Sequence, residues 1–376
     1  MEKTKRMSNM DLYRCVSMMF VVVLHYLGKG DILQPVNTPD LTAVAVTARI
    51  LETFAIVAVN SYMLLSGYFL VESNFKLRKL IGLVLQVWSF SVAFGLVGPL
   101  LGMLREADFD LHYCLTIMFP ITMTHYWFMS AYVISFAMLP FILPTVKKMD
   151  KKHFQVAIWV ILILFSVFKT IVPFRLESDA KGYDALWYFC MFLVGAYIRR
   201  FGLKSINTMK KSVIIYLGSV VLILAEAFIF RAVNLRTGSL SFITSYMYEY
   251  NHFLVVTATI GLFGIFQNMT INEKVGDCIS RIAPYSLGVY LFHENLGVRY
   301  GWQMRLFAYR VTNPANLILF MLIAVLVLFV MGVCFDWLRS KIFGWIHRAL
   351  LHIGIYDKTY KTILRIDEGF GETKDE

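Results

Sequence analysis

Charged residues are scarce in this chain. Lys, Arg, Asp and Glu together account for 16% of the residues, whereas soluble domains carry about 25%. Hydrophobic residues account for 58%, and the mean hydropathy is +0.63. This composition excludes an ordinary soluble domain and predicts an integral membrane protein.

Recognisable cysteine patterns are also missing. No two of the five cysteines form the close pairs that are typical of metal sites, and their odd number argues against a disulfide framework. We therefore expect no metal, and we expect the cysteines to be small buried hydrophobic side chains. They are Cys15, Cys114, Cys190, Cys278 and Cys334. The first apolar run lacks an A-x-A-like end, so we expect no cleavable signal peptide.

The formal net charge of +11 has two interpretations. In a soluble protein it would suggest a nucleic-acid partner, but in a membrane protein Lys and Arg collect in cytoplasmic loops. The termini and the loops on their side of the membrane carry 24 of the 36 basic residues, and the loops on the other side carry 11. The remaining one, Arg14, lies inside the first span. This difference predicts cytoplasmic termini, an even number of spans and no nucleic-acid partner.

A membrane span needs about 20 mainly apolar residues. About ten such segments are present, at residues 10–28, 50–71, 80–104, 124–146, 154–174, 185–199, 212–233, 251–268, 282–299 and 315–338. The predicted fold class is all-α, a polytopic membrane helical bundle of about ten transmembrane helices. Residues 1–340 would form this domain and residues 341–376 a cytoplasmic tail, in which "IFGWIHRALLHIGIY" could be an interfacial amphipathic helix.

The first span contains "MDLYRCVSMMFVVVLHY", with two ionisable side chains that hydrocarbon disfavours by roughly 2.5–3.5 kcal/mol each near a helix centre. Arg14 and His25 are eleven residues apart. That separation is three helical turns plus about 20°, so both lie on one helix face about 16 Å apart. Such a stripe could bind an extended ligand. The alternatives are an Arg14 that extends to the headgroups and a His25 that is paired at the interface.

The Asp-x-x-Arg start of this span, followed after ten residues by His25, resembles the opening of the membrane acyltransferase-3 family. Four later segments resemble that family in the same order: "NSYMLLSGYFL" (60–70), "NFKLRKL" (74–80), "HYWFMSAYVISFAMLPFI" (125–142) and "APYSLGVYLFHENL" (283–296). The second of them departs from the commoner R-x-x-R form. Each segment alone is a weak signal, but the ordered set is specific.

The resemblance implies an integral-membrane O-acyltransferase of a bacterial cell (inner) membrane. It would move an acyl group, expected to be acetyl, from cytoplasmic acetyl-CoA or another acyl-CoA to a hydroxyl of a cell-surface or lipid-linked glycan. The partners would be acyl-CoA, the saccharide acceptor and membrane lipids. The sequence does not identify the acceptor, decide between acetyl and succinyl, or say whether the chain forms a homo-oligomer.

Acyl transfer to a hydroxyl needs a base that takes the hydroxyl proton. His25 is the preferred candidate because imidazole titrates near neutrality, and His293 is its rival. No nucleophile elbow is present, so direct transfer is expected rather than a covalent acyl-enzyme. Glu52, Glu249 and Glu294 could orient the base, and the sequence does not choose among them.

Basic residues on the cytoplasmic side would hold the acyl-CoA phosphates. These candidates are Arg14, Lys76, Arg78 and Lys79; the alternative for the loop residues is ordinary positive-inside charge. Asp11 would pair with Arg14 three residues later.

Four residues are expected to contact the acceptor: Glu52, Tyr126, Trp127 and Glu294. The alternative for the two aromatic residues is an interfacial belt. Ser66 and Gly67 are expected to allow close helix packing.

A transporter or flippase for a glycan intermediate is the main alternative function, since many spans and buried charges fit it equally well. A proton-coupled carrier could use His25 as a relay. A sensory membrane domain is a third hypothesis.

Overall fold

A computed structural model of the chain describes residues 7–102, 110–171, 180–238 and 246–370, and these residues form helices with no strand among them. The α-helices are α1 (Ser8–Lys29), α2 (Ala43–Ala55), α3 (Ala58–Leu70), α4 (Leu77–Leu100), α5 (Leu111–Met118), α6 (Trp127–Ala137), α7 (Leu139–Lys148), α8 (Lys151–Leu162), α9 (Phe168–Ile171), α10 (Ala185–Phe201), α11 (Met209–Thr237), α12 (Phe253–Gln267), α13 (Glu273–Ile282), α14 (Ser286–His293), α15 (Trp302–Arg305), α16 (Pro314–Leu350) and α17 (Gly354–Gly369). A π-helix, Ile163–Val167, joins α8 to α9. The all-helical fold class is confirmed.

Six helical stretches among the described residues are long and apolar enough to cross a membrane. They are α1, α2 with α3, α4, Lys151–Ile171, α11 and α16. The pair α6 and α7, bent by 62°, would be a seventh. The chain is therefore a membrane protein, and seven of the ten predicted spans coincide with these stretches.

The other three predicted spans fall on shorter helices. The helix α10 has 17 residues, α12 has 15, and α13 is separated from the eight-residue α14 by a 3₁₀ turn at Ala283–Tyr285. Helices of this length fall short of the roughly 20 residues that a bilayer requires. The count of ten spans stays a prediction.

The first helix, α1, lies inside the bundle and packs against α2, α3, α12, α13, α14 and α16. In contrast, α4, α11 and α16 expose large apolar side chains such as Leu85, Leu222 and Leu326. Rows of exposed apolar residues of this kind suit contact with lipid. The ionisable residues of α1 therefore face protein.

Helix boundaries follow local capping signals. The side chains of Asp110, Asp150 and Asp184 accept hydrogen bonds from backbone N–H groups at the starts of α5, α8 and α10. These bonds satisfy donors that have no partner within the helix. Gly238 ends α11 in the left-handed conformation, with φ of 67°, where a side chain would be strained.

The tail packs against the membrane domain. Residues 341–350 continue α16, and α17 follows after a short turn. Asp367 of α17 is buried, and one of its carboxylate oxygens lies 3.2 Å from Nε of Arg78. Residues 371–376 of the predicted tail lie outside the described residues.

Candidate functional site

Two histidines that are far apart in the sequence meet inside the bundle. His25 lies near the end of α1, and His293 is the last residue of α14. The His25 Nδ1 atom is 2.9 Å from the His293 Nε2 atom. His293 is fully buried, whereas the His25 side chain keeps 22% of its surface exposed.

The hydrogen bonds determine which ring nitrogens carry protons. The His293 Nδ1 atom lies 2.5 Å from the backbone carbonyl of Val289, which can only accept, so this nitrogen is the donor. In neutral His293 the Nε2 atom is then an acceptor, and His25 must donate to it from Nδ1. Among the described residues, none bonds to the His25 Nε2 atom, so a neutral His25 keeps its basic nitrogen free.

Glu294 holds the same His25 nitrogen from a second direction. Its Oε2 atom lies 3.1 Å from His25 Nδ1 and also pairs with the Lys29 ammonium. Its Oε1 atom lies 3.2 Å from Nε of Arg299. Arg299 also donates to the backbone carbonyls of Glu294 and His125. Two cations thus fix a buried carboxylate that orients the imidazole of His25.

His25, His293 and Glu294 present ligand atoms within 4.8 Å of one another, as a metal site would require. A tetrahedral metal with bonds of about 2.0–2.1 Å separates two ligating nitrogens by roughly 3.4 Å, but the two histidine nitrogens are 2.9 Å apart. The Lys29 ammonium also shares the carboxylate oxygen that would ligate. This geometry favours a hydrogen-bonded cluster over a metal centre.

The His25 cavity has a volume of about 310 Å³ and is lined by His25 together with Glu52, Trp127, Tyr183, Glu249 and Tyr250, among others. The ring centroids of Trp127 and Tyr183 are 4.6 Å apart, as are those of Tyr183 and Tyr250. Trp127 and Tyr250 lie nearly parallel at 6.1 Å. These rings form an aromatic wall with polar tips, suited to a ligand that has both apolar and hydroxyl-bearing faces.

Two carboxylates of the His25 cavity are paired with cations. Glu52 lies 2.6 Å from Arg49, whose guanidinium stands over the ring of Tyr248 at 5.3 Å. Burial, with a smaller effect of the Glu52 charge, raises the pKa of Tyr248 to about 12. Its hydroxyl therefore stays protonated at neutral pH.

Glu249, the other carboxylate, lies 3.0 Å from Lys169 and 3.4 Å from Lys181. Of the three predicted orienting carboxylates, Glu294 is therefore the one that contacts His25.

The Arg14 cavity has a volume of about 240 Å³ and is lined by Arg14, Ser66, Leu83 and Tyr132, among others. It shares Tyr62, Phe128 and Leu287 with the His25 cavity. We call these three residues the partition. Tyr62 and Phe128 are in edge-to-face contact at 6.1 Å, and the Tyr62 hydroxyl donates to the backbone carbonyl of Arg14. The two cavities thus lie side by side along α1.

The predicted donor-binding loop is near the Arg14 cavity but does not line it. Lys79 lies on α4 one turn before Leu83, which does line the cavity. Lys76 is the residue that precedes α4. Arg78 is paired with Asp367 of α17.

Tyr126 differs from the expectation that it contacts the acceptor. It is fully buried, its ring stacks on His125 at 4.0 Å, and its hydroxyl donates to the Leu291 carbonyl. It also accepts a hydrogen bond from Asn295. Because these contacts enclose the ring, Tyr126 supports the site from behind and offers no face to a sugar; Trp127 lines the cavity.

Two of the three predicted structural residues, Asp11 and Gly67, lie at helix contacts. Asp11 accepts a hydrogen bond from Ser280 of α13, with the oxygens 2.9 Å apart. Ser66 bonds to the Tyr62 carbonyl within α3. At Gly67 an added Cβ would lie 1.8 Å from the carbonyl oxygen of Phe192 in α10. Gly67 therefore lies where two helix backbones touch.

Sequence reasoning missed Lys29, Arg299 and three tyrosines that line the His25 cavity, Tyr183, Tyr250 and Tyr290. Lys29 stands four residues after His25, so helical spacing could have placed it on the same face. Arg299 gave no such signal, because its role depends on how the chain turns back after α14.

The helical fold and the buried His–His–Glu cluster define a membrane protein with an enclosed polar site. The acyltransferase-3 model, which describes an acyltransferase domain, matches residues 7–335. The chain therefore belongs to the acyltransferase-3 family and is a membrane acyltransferase. No curated protein and no solved structure matches it significantly. The family match favours the acyltransferase over the transporter, flippase and sensory hypotheses.

Proposed function

We propose that the protein transfers an acyl group, most simply acetyl, from acyl-CoA to a hydroxyl of a cell-surface or lipid-linked saccharide, with His25 as the general base. The observation that carries this proposal is the hydrogen-bonding of His25. Its Nδ1 atom faces His293 and Glu294, which leaves Nε2 as the basic nitrogen in a ring that lines the His25 cavity.

The proton moves through His25. The Nε2 atom takes the proton of the acceptor hydroxyl as its oxygen attacks the thioester carbonyl, and His25 becomes an imidazolium. Glu294, 3.1 Å from Nδ1, stabilises this cation and holds the ring. His25 then returns the proton to the departing thiolate. In this scheme His293 is a positioning residue, because its Nε2 atom accepts from His25 and is not available to a hydroxyl.

The acyl donor would occupy the Arg14 cavity. Arg14 and His25 lie on one face of α1, about 16 Å apart along its axis, and each lines one of the two cavities. An extended pantetheine arm would run along this face, with Arg14, Lys76, Arg78 and Lys79 supplying cations for the phosphates. The partition would have to move for the thioester to reach His25.

The saccharide acceptor would occupy the His25 cavity. Trp127, Tyr183 and Tyr250 offer ring faces, and Glu52 and Glu249 offer carboxylate oxygens to hydroxyl groups. Aromatic faces beside fixed hydrogen-bonding groups are the surface that a sugar ring requires.

The loop charges support the orientation of this scheme. In a bacterial inner membrane with both termini cytoplasmic and about ten spans, the Arg14 end of α1 would face the cytoplasm, where acyl-CoA is made. The His25 cavity would then be reached from the outer side.

Purified protein in lipid vesicles tests the proposal. Radiolabelled acetyl-CoA and a saccharide acceptor are added, and label in the saccharide is measured, with succinyl-CoA as a second donor. We expect labelling by the wild type and a loss of about 10²–10⁴-fold in kcat for His25→Ala, the range attributed to a general base. Binding of CoA should be retained in that variant.

His153→Ala is the matched control, because the side chain of this histidine is 78% exposed at the start of α8 and pairs with Asp150, away from both cavities. It should leave the rate unchanged. Normal labelling by His25→Ala would refute the role of His25, and transport of unmodified saccharide without labelling would refute the acyltransfer itself.

A further inference from the structure

The hydroxyl of Tyr290 is a buried polar group for which the described part of the chain offers no acceptor. Tyr290 belongs to α14 and is 4% exposed. Its hydroxyl oxygen is buried, and among the described residues it donates to no protein acceptor. Leaving a buried hydroxyl without such a partner costs roughly 1–3 kcal/mol. Each such group in a native protein calls for an explanation, and a ligand that accepts the bond is one.

Tyr290 lines the His25 cavity. It precedes His293 by three residues, so these two side chains lie on one face of α14, and Glu294 is the residue that follows the helix. The ring centroids of Tyr290 and His293 are 6.2 Å apart, and those of His293 and His25 are 5.1 Å apart. Tyr290 and His25 therefore line the same chamber.

Two neighbouring tyrosines use their hydroxyl protons elsewhere. Tyr62 donates to the Arg14 carbonyl at 3.0 Å, and Tyr126 donates to the Leu291 carbonyl at 2.9 Å. Ring packing of Tyr290 against Tyr126 at 5.8 Å and Phe128 at 6.0 Å fixes the direction of its own C–O bond. Tyr290 is thus a rigid, preorganised donor.

We propose that Tyr290 is a catalytic residue whose hydroxyl donates a hydrogen bond to the carbonyl oxygen of the thioester as negative charge develops there. This inference rests on the proposed function. A donor fixed before the reaction stabilises the transition state without reorganisation, which makes such groups effective in sites that exclude water.

The step balances with His25 alone as the proton carrier. The acceptor oxygen forms a bond to the thioester carbon and gives its proton to His25 Nε2, while the carbonyl π electrons move to oxygen. Tyr290 keeps its proton and only donates a hydrogen bond to that oxyanion. When the C=O bond forms again, the C–S bond breaks and the thiolate leaves with the proton from His25.

Tyr290→Phe tests the inference in the vesicle assay with acetyl-CoA and saccharide. We expect kcat to fall by about 10²–10³-fold, the loss typical of removing one oxyanion donor. The KM values for both substrates and CoA binding should stay at wild-type values, and the unfolding temperature should be equal or higher, because the hydroxyl has no acceptor among the described residues and the ring is retained.

Tyr13→Phe is the matched control. Tyr13 is a fully buried tyrosine of α1 that packs on Phe263 and Phe266, and its loss of a hydroxyl should leave kcat unchanged. A wild-type kcat for Tyr290→Phe overturns the inference. A raised KM for the acceptor at constant kcat also overturns the inference, because it assigns Tyr290 a binding role. A lowered unfolding temperature with loss of CoA binding overturns it as well, because it assigns a structural role.

The wild type separates this inference from the proposed function. A wild-type protein that transfers no acyl group refutes the proposed function. An active wild type with an equally active Tyr290→Phe refutes only the role of Tyr290.

Discussion

Replacing Gly67 by Ala should destabilise the protein by separating α3 from α10. A Cβ at Gly67 would lie 1.8 Å from the carbonyl oxygen of Phe192, and real Cβ atoms essentially never approach within 3.0 Å of another atom. The two backbones must therefore separate by roughly 1.2 Å, and overpacking of this kind costs about 1–3 kcal/mol. The contact is reciprocal, since a Cβ at Gly195 would lie 2.0 Å from the Leu64 carbonyl.

The movement of α3 away from α10 should also disturb the candidate site. The helix α3 carries Tyr62, whose hydroxyl bonds to the Arg14 carbonyl and whose ring belongs to the partition. Moving α3 would strain that bond and displace the ring. We therefore expect Gly67→Ala to lower the unfolding temperature of the purified protein, measured by intrinsic fluorescence in detergent. The same variant should also have a lower acyl-transfer rate in vesicles.

Gly218→Ala is the control for this prediction. Gly218 lies within α11, and a Cβ there meets nothing within 4 Å. Because Gly weakens a helix by roughly 0.5–1 kcal/mol relative to Ala, this variant should be as stable as the wild type or slightly more stable. Equal unfolding temperatures for Gly67→Ala and the wild type would refute the packing argument, as would equal losses in both variants.

Three other substitutions test the site. Phe128→Ala removes a ring of the partition and should favour the larger acyl group, so kcat/KM for succinyl-CoA should rise relative to kcat/KM for acetyl-CoA. An unchanged ratio of the two constants would contradict this role. Asp367→Asn removes the carboxylate paired with Arg78, so CoA should bind more tightly by titration calorimetry, whereas weaker binding would argue against Arg78 as a phosphate ligand. Glu294→Gln should lower kcat by about 10²-fold at constant KM for acyl-CoA, since it no longer stabilises the His25 cation; a full rate in steady-state kinetics would exclude that function.

Local periodicity accounts for what the sequence could predict. Arg14 and His25 belong to one helix, and the regular rotation of 100° per residue fixes their relation without knowledge of any other part of the chain. Apolar runs likewise predict an all-helical membrane protein, because hydrocarbon permits little else. The ordered motifs predicted the family, which the match over residues 7–335 confirms.

Contacts between distant segments could not be predicted in this way. The approach of His293 and Glu294 to His25 depends on how α14 packs against α1 in three dimensions. Three carboxylates were equal candidates in the sequence, and only Glu294 proved to contact His25. Tyr126 was expected to face the ligand, but His125 and Asn295 enclose it. Contacts of this kind leave no periodic pattern in the sequence, so they could not be predicted. Short helices such as α12 showed the same hydropathy as full spans.

The partition has a consequence for the energy balance of the cell. If the two cavities open to opposite faces of the membrane, as proposed, joining them would create a hydrated path through the bilayer, with an imidazole beside it that could relay protons. Tyr62, Phe128 and Leu287 separate the two chambers. Because the partition has to move only when a thioester passes, it would keep the proton gradient intact between transfers.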